Sequence, residues 1–128
     1  MDIEIIGSVH SEFQEPADPD IMRESVSTIV IKPEYEDGLY RIEESEHIQV
    51  LFYFDRSKGY DLIGKRRHGG IKGVFASRSP ARPTPIGSSL VKLLSRNGTE
   101  LKVQGLDALD GTPVIDIKPY AQPFDSKE

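Results

Sequence analysis

Short β-branched and apolar runs recur along the chain, and glycine, proline or polar stretches end each of them. This pattern predicts a protein made mainly of β-strands. The predicted strands are residues 3–9, 27–32, 48–54, 73–77, 88–95, 100–105 and 114–118. The run from Ile48 to Phe54 is apolar almost throughout, which is typical of a strand covered on both faces. The dipeptide Asn97-Gly98 predicts a hairpin turn between the fifth and sixth strands.

Little of the remaining sequence predicts helix. Residues 36–45 predict a short helix that Gly38 weakens, and the proline-containing stretch from His10 to Asp20 predicts a loop. Strands and helices do not alternate, and closing the sheet would remove its unpaired edges. We therefore predict a mainly β fold, a small single-sheet β-barrel with one or two short helices. Residues 1–128 are expected to form a single domain, because no linker or repeat divides them.

Composition excludes several classes of protein. With 29% charged residues and no apolar run near 18 residues, the chain is expected to be soluble, without contact with a membrane. The acidic start Met1–Glu4 is unlike a signal peptide, so the expected compartment is the cytoplasm. The absence of cysteine excludes disulfides, thiolate metal sites and a cysteine nucleophile. The scattered histidines predict neither a catalytic triad nor a metal site.

The net charge of −5 conceals a basic segment at residues 56–82. Asp61 is the one acidic residue of this segment. Half of the 16 basic side chains lie there: Arg56, Lys58, Lys65, Arg66, Arg67, Lys72, Arg78 and Arg82. Residues 55–72 also contain several glycines and predict a mobile loop. Such a concentration of positive charge is suited to a polyanion, and the alternative is a solvated surface loop.

Two proline-braced arginines are candidates for binding an anion. Arg78 and Arg82 lie in an extended segment with three prolines, which lowers the entropy lost in fixing each guanidinium. A fixed guanidinium binds carboxylate or phosphate through two hydrogen bonds. The alternative is a rigid crossover whose arginines pair with the protein's own acids.

A second candidate site is the turn between the last two strands. Asp107 and Asp110 lie there three residues apart, and either carboxylate is suited to accept a hydrogen bond or a proton. The alternative is that both side chains cap the turn's own backbone. Phe54, at a strand end, is a candidate wall of a stacking pocket, whereas Phe75 is expected in the core. Tyr120 either lines a site or fills the barrel rim.

Two long segments resemble the signatures of a known family. Residues 73–93 read GVFASRSPARPTPIG followed by SSLVKL, and residues 106–120 read LDALDGTPVIDIKPY. Both are similar to signatures of the TsaA-like, or TrmO, family. The sequence lacks Gly-x-Gly-x-x-Gly and Walker A motifs, so a nucleotide-like cofactor would bind outside the usual α/β folds.

The resemblance implies a homodimeric, single-sheet β-barrel that uses S-adenosylmethionine. Family members methylate the exocyclic nitrogen of N6-threonylcarbamoyladenosine, which lies next to the anticodon of tRNA. The cofactor contacts implied here are Phe54, Asp55, Arg78, Ile86, Gly105, Leu106 and Asp107. The chain departs from the family where residues 15–23 lack a Pro-Arg-Gln sequence and where the central strand ends Phe54-Asp55-Arg56.

The resemblance also gives the candidate residues roles. Asp107 or Asp110 would accept the proton or hold the cofactor, and Arg78 would steady the cofactor or the substrate carboxylate. Arg82 would bind a substrate phosphate or carboxylate. The remaining substrate candidates are Lys65, Arg66 and Arg67 of the basic loop, which would contact the anticodon arm, and Tyr120. Two alternatives stay open: a methyltransferase of this fold with another nucleobase or a small molecule as its substrate, and a non-catalytic module that binds S-adenosylmethionine or RNA.

Overall fold

Six antiparallel strands close into a barrel in the computed structural model, which describes residues 1–67 and 69–120. The order around the barrel is β1–β2–β7–β6–β3–β8. These strands are β1 (Gly7–His10), β2 (Val26–Ile31), β3 (His47–Tyr53), β6 (Ile86–Asn97), β7 (Glu100–Gln104) and β8 (Pro113–Pro119). A separate two-stranded hairpin contains β4 (Ile63–Lys65) and β5 (Ile71–Gly73). The predicted mainly β barrel is therefore confirmed.

Alternating side chains fill the barrel. On β3, Ile48, Val50 and Phe52 point inward and are buried, while the residues between them are half-buried. β3 is thus fully covered on one face only, which corrects the expectation that both faces are covered. The inward residues of the other strands share this core with Leu106, and each fully buried aliphatic or aromatic side chain contributes about 1.5–3 kcal/mol. The core keeps the barrel wall rigid beneath any site on it.

Two interfaces of the barrel differ in length. β3 pairs with β6 along its whole length, from His47–Lys92 to Tyr53–Ile86. β1 and β8 are joined at Gly7–Val114 and Ser8–Pro113, which closes the cylinder. The first strand was predicted from residue 3 but begins at Gly7. In the β1–β2 register, Ile5 would face Pro33, which has no amide hydrogen to donate to a neighbouring strand.

One α-helix, α1 (Pro19–Glu24), begins in the stretch from His10 to Asp20 that was predicted as loop, and no helix was predicted for the residues that follow. The Asp18 carboxylate accepts a hydrogen bond from the Asp20 amide at 2.8 Å, and Pro19 occupies the first turn. Both features are common at helix starts. The helix predicted for residues 36–45 is instead two 3-10 helices, Pro33–Leu39 and Ile42–Glu44. Arg41, between them, has a φ of 69°, which interrupts any continuous helix.

Residues 58–67 and 69–73 form an arm outside the barrel, called the basic arm below. The predicted mobile loop contains β4 and β5, and the Arg66 guanidinium holds the hairpin together. Its Nε donates to the Lys72 carbonyl at 3.1 Å and its Nη2 to the Asp61 carbonyl at 2.9 Å. Arg66 therefore has a structural role in addition to its charge. His68 lies outside the described residues.

The predicted strand at residues 73–77 is wrong. Val74–Ala76 forms a 3-10 helix, in which Val74 is buried and anchors the end of the basic arm. Phe75 faces solvent with 76% of its surface exposed, so its expected place in the core is also wrong. Successive side chains of a 3-10 helix point in three different directions, whereas those of a strand alternate between two faces. Within the described ranges, no helix has the length and apolar character needed to cross a bilayer.

Candidate functional site

A cavity of about 300 Å³ lies where the end of β3, the start of β6 and the turn after β7 meet. Its lining combines aromatic rings, arginines, serine hydroxyls and one carboxylate: Phe52, Phe54, Ser77, Arg78, Arg82, Ile86, Gly87, Ser88, Ser89 and Asp107. We call it the rim cavity. It brings together side chains from distant parts of the chain that the sequence had singled out separately.

An aromatic pair forms one wall of the rim cavity. The rings of Phe52 and Phe54 meet edge to face, with centroids 5.2 Å apart. Gly87 on β6 lies directly against both rings, since a Cβ there would come within 2.6 Å of Phe52 and 2.8 Å of Phe54. The Phe54 amide donates to the Pro85 carbonyl at 2.7 Å, which holds the end of β3 beside β6. This wall offers an apolar surface to a flat ring.

The proline-rich segment before β6 holds two guanidinium groups at the rim cavity. Nη2 of Arg78 donates to the Ser88 carbonyl on β6. Nη1 of Arg82 donates to the carbonyls of Ser77 at 3.0 Å and Ser79 at 3.2 Å, so Arg82 braces the segment that carries it. No helix forms between residues 77 and 85, as the prolines predicted.

Asp107 supplies the carboxylate of the rim cavity. Its Oδ1 accepts a hydrogen bond from the Ser89 hydroxyl at 2.6 Å. The neighbouring Leu106 is fully buried in the core, which fixes the turn, while the Asp107 side chain stays exposed. Arg78 and Asp107 therefore line one cavity, although 29 positions separate them in the sequence.

Asp110, the other candidate of this turn, is engaged elsewhere. Its carboxylate accepts hydrogen bonds from the Ser11 amide at 3.0 Å and the Gln14 side chain at 3.1 Å. The Ser11 bond is the main cause that lowers the pKa of Asp110 below its ordinary value. Arg56 completes this link between loops by donating to the carbonyls of Gln14 and Asp110. Asp110 is not among the residues that line the rim cavity.

A second cavity of about 460 Å³ adjoins the first on the outer face of the barrel. The two share Arg78, Ser88, Ser89 and Asp107. The second adds Pro19, Arg23, Gln49, Leu90 and Gly105, and we call it the arginine groove.

Sequence reasoning missed Arg23 and Gln49, although each left a signal. Gln49 is the polar residue in an otherwise apolar strand. Asp18-Pro19 is a helix-start sequence that would have placed Arg23 on a helix.

The other predicted site residues lie outside both cavities. Asp55 is exposed and its amide donates to the Tyr53 carbonyl at 2.9 Å. Tyr120 follows β8 and its amide donates to the His47 carbonyl at 3.2 Å. The arm residues Lys65, Arg66 and Arg67 belong to neither lining. The structure thus brings together Phe54, Arg78, Arg82, Ile86 and Asp107, with Gly105 next to them.

Comparison with known proteins agrees with this fold. The family model described as the tRNA-methyltransferase O N-terminal domain matches residues 5–126. A probable S-adenosyl-L-methionine-binding protein of Pyrococcus abyssi is 44% identical over 128 residues, which cover 96% of this chain and 70% of that protein. A mouse protein named tRNA (adenine(37)-N6)-methyltransferase is 36% identical over 121 residues, with 88% of this chain and 28% of the mouse protein covered.

Solved structures give the same result. A crystal structure of TrmO has a TM-score of 0.80 and 33% identity, and the match covers all of this chain and 60% of that one. TrmO from Pseudomonas aeruginosa gives a TM-score of 0.79 at 32% identity, with 59% of that chain covered. The chain thus spans about three fifths of the TrmO chains it matches. These matches confirm the resemblance of the two signatures: the chain belongs to the family of the tRNA-methyltransferase O N-terminal domain.

Proposed function

We propose that this protein is an S-adenosylmethionine-dependent tRNA methyltransferase that acts on the exocyclic nitrogen of threonylcarbamoyladenosine beside the anticodon. The observation that carries the proposal is the rim cavity, where Arg78, Asp107 and an aromatic wall meet. The names of the mouse relative, a tRNA (adenine(37)-N6)-methyltransferase, and of the Pyrococcus relative, a binder of S-adenosyl-L-methionine, support it.

The side chains of the rim cavity fit the cofactor's chemistry. S-adenosylmethionine supplies a methyl group on a positively charged sulfur, and it also carries an adenine ring and a carboxylate. The Phe54 ring, supported by the buried Phe52 ring, offers a surface for a flat base. Asp107 brings negative charge for a cation, and the Arg78 guanidinium matches a carboxylate. The close contact of Gly87 with both rings keeps that surface fixed.

Proton acceptance is the chemical role that we assign to Asp107. The attacking nitrogen must lose a proton, and a carboxylate within hydrogen-bond reach is a suitable acceptor. The Ser89 hydroxyl orients the Asp107 carboxylate. Asp110 is a poorer candidate, because two hydrogen bonds hold its carboxylate and its lowered pKa makes it a weaker base.

The proposed role of the two guanidinium groups is to orient the reactants. Methyl transfer to nitrogen is a displacement with a neutral leaving group, so alignment of the two reactants supplies much of the rate. We assign Arg78 to steadying the cofactor and Arg82 to binding the carboxylate of the threonylcarbamoyl group. Both lie on a segment held by hydrogen bonds to its own backbone and to β6.

The basic arm is proposed to contact the anticodon arm of the tRNA. Lys65 and Arg67 are exposed on it, and it extends from the barrel as a separate hairpin. The arm and its flanks also expose large apolar side chains: Tyr60, Leu62, Ile63, Ile71 and Phe75. Exposed apolar patches commonly mark protein contacts, so we extend the proposal to a homodimer in which a second copy covers this apolar side.

A methylation assay tests the proposed function. The purified protein is incubated with S-adenosylmethionine and with tRNA that either carries or lacks threonylcarbamoyladenosine, and the nucleosides are analysed by mass spectrometry. We expect the methylated threonylcarbamoyl nucleoside from the first tRNA alone. Methylation of the second tRNA at another base would point to a different nucleobase substrate. Cofactor binding without transfer to either tRNA would indicate a non-catalytic module.

Neutralising the arm should reduce the salt dependence of tRNA binding. Because Arg66 holds the hairpin together, the double variant K65Q/R67Q removes two positive charges and leaves Arg66 in place. Each lost phosphate contact lowers the slope of log affinity against log salt by about 0.7–0.9. We expect a slope shallower by roughly 1–2, measured by fluorescence anisotropy. K32Q/K102Q, at exposed lysines of the barrel, is the matched control. An unchanged slope in K65Q/R67Q would mean that the arm is a solvated surface.

A further inference from the structure

The arginine groove has a lining that suits an anion and lies on the outer surface of the barrel. Gln49 on β3 and Leu90 on β6 face each other in register, and Leu90 is exposed. Arg23 from α1 and Arg78 add two guanidinium groups. Building on the proposed function, we propose that this groove binds a backbone phosphate of the RNA next to the methylated nucleotide, and that Arg23 contacts it.

The C-terminal end of α1 is fastened to the turn that carries Asp107. The Gln104 side chain donates to the Glu24 carbonyl at 3.0 Å, and the Gly105 amide donates to the Ser25 carbonyl at 3.2 Å. A Cβ on Gly105 would lie 3.3 Å from the Arg23 carbonyl, so helix and turn are in close contact. The position of Arg23 is thereby fixed relative to Asp107, as a substrate-binding residue requires.

The guanidinium of Arg23 is available for a ligand. Its ion pair with Asp20 is 3.5 Å long, and the two side chains are 71% and 87% exposed. Exposed pairs of this kind contribute little, so an incoming phosphate can replace the Asp20 carboxylate at small cost. Arg binds phosphate through paired hydrogen bonds, and phosphate contacts position a nucleic acid on a protein.

Position distinguishes the occupants of the two cavities, because each is lined by two arginines and by Asp107 but only the rim cavity has the aromatic wall. A phosphate in the groove would be attracted by both Arg23 and Arg78. Asp107 lies at the boundary, and its Oδ1 already accepts a hydrogen bond from Ser89. A nucleotide whose reacting nitrogen meets the cofactor at the rim cavity would then place its phosphate in the adjoining groove, because the two cavities share Arg78 and Asp107.

Removing the charge of Arg23 tests the phosphate site. In R23Q we expect tRNA to bind at least about tenfold more weakly, since a hydrogen bond between charged groups is lost. The slope of log affinity against log salt should fall by about 1, while the Kd for S-adenosylmethionine stays within about twofold of wild type. R23K, which keeps the charge, should recover part of the affinity. K102Q is the control for losing one positive charge, because Lys102 is exposed on β7.

Two further measurements separate a phosphate from other anions. The loss in R23Q is measured again with tRNA whose threonyl carboxylate has been converted to an amide. If the loss persists, the contact is to phosphate; if it disappears, Arg23 binds the threonyl carboxylate and the proposal is wrong. A raised Kd for S-adenosylmethionine in R23Q would assign the groove to the cofactor and would also overturn it.

Failure of this site can be told from failure of the proposed function. If the wild-type protein transfers no methyl group to tRNA, the proposed activity is wrong. If the wild-type protein is active and R23Q binds tRNA as tightly as the wild-type protein does, only the proposal of the phosphate site is wrong.

Discussion

R78A is expected to lower kcat/KM for tRNA methylation by roughly 100-fold or more while the fold is retained. Arg78 lines both cavities, so its removal takes away hydrogen bonds to charged partners on whichever ligand it orients. Each such bond contributes about 1.5–3 kcal/mol, and two of them account for the expected loss. Steady-state kinetics with cofactor and tRNA varied in turn measures the effect.

The structural cost of R78A should be small, because Arg78 is exposed and the bond lost inside the protein is the one to the Ser88 carbonyl. We expect the free energy of unfolding to fall by about 0.5–1.5 kcal/mol at most. R78K keeps the positive charge but loses the planar fork, and intermediate activity is expected. Turnover of R78A near the wild-type rate would contradict the role assigned to Arg78.

G87A should destabilise the protein and weaken cofactor binding at the same time. The new Cβ would lie 2.6 Å from the Phe52 ring and 2.8 Å from the Phe54 ring, so both rings must move. Phe52 is 2% exposed and packed in the core, so its displacement also disturbs the core. Overpacking of this kind costs about 1–3 kcal/mol. Urea unfolding and calorimetric titration with S-adenosylmethionine measure the two effects.

G38A is the matched control for adding a methyl group to a glycine. A Cβ on Gly38 meets nothing within 4 Å, so its stability should change by less than about 0.5 kcal/mol. A smaller side chain at position 54, in G87A/F54L, should restore part of the lost stability, since the two sites are in contact. Equal stability of G87A and G38A would mean that the rings do not rest on β6 as the structure shows.

The barrel could be predicted from the sequence because its signal is local. Alternating β-branched runs identify strands, and the lack of helices between them favours a closed antiparallel sheet. Strand pairing joins residues that are distant in the sequence, so the exact ends of the strands could not be predicted. Where β1 begins depends on Pro33, which follows β2 and would face Ile5 in the β1–β2 register. Phe75 looked like a core residue because its neighbours are apolar, yet it lies in a turn.

The types of residue in the site could be predicted, but not which of the candidate residues line the cavity. Arg78 and Asp107 stood out through prolines, glycines and the family resemblance, and the structure places them in one cavity. In the sequence, Asp107 and Asp110 are both candidates for accepting the proton. They differ because the Asp110 carboxylate contacts Ser11, 99 positions away, and this partner cannot be inferred from local sequence. Arg23 was missed because its helix lies in a proline-containing stretch.

The short pairing that closes the cylinder has a consequence for how the molecule fluctuates. β1 meets β8 at Gly7 and Ser8, in the shortest register of the barrel, so the β1–β8 interface opens most readily in native-state fluctuations. The β3–β6 wall, with its long register, is two interfaces away and stays closed during such an excursion. Amide hydrogens of β1 would then exchange with solvent far sooner than those of β3 and β6 beneath the aromatic pair. The rim cavity would keep its shape while the barrel opens on its other side.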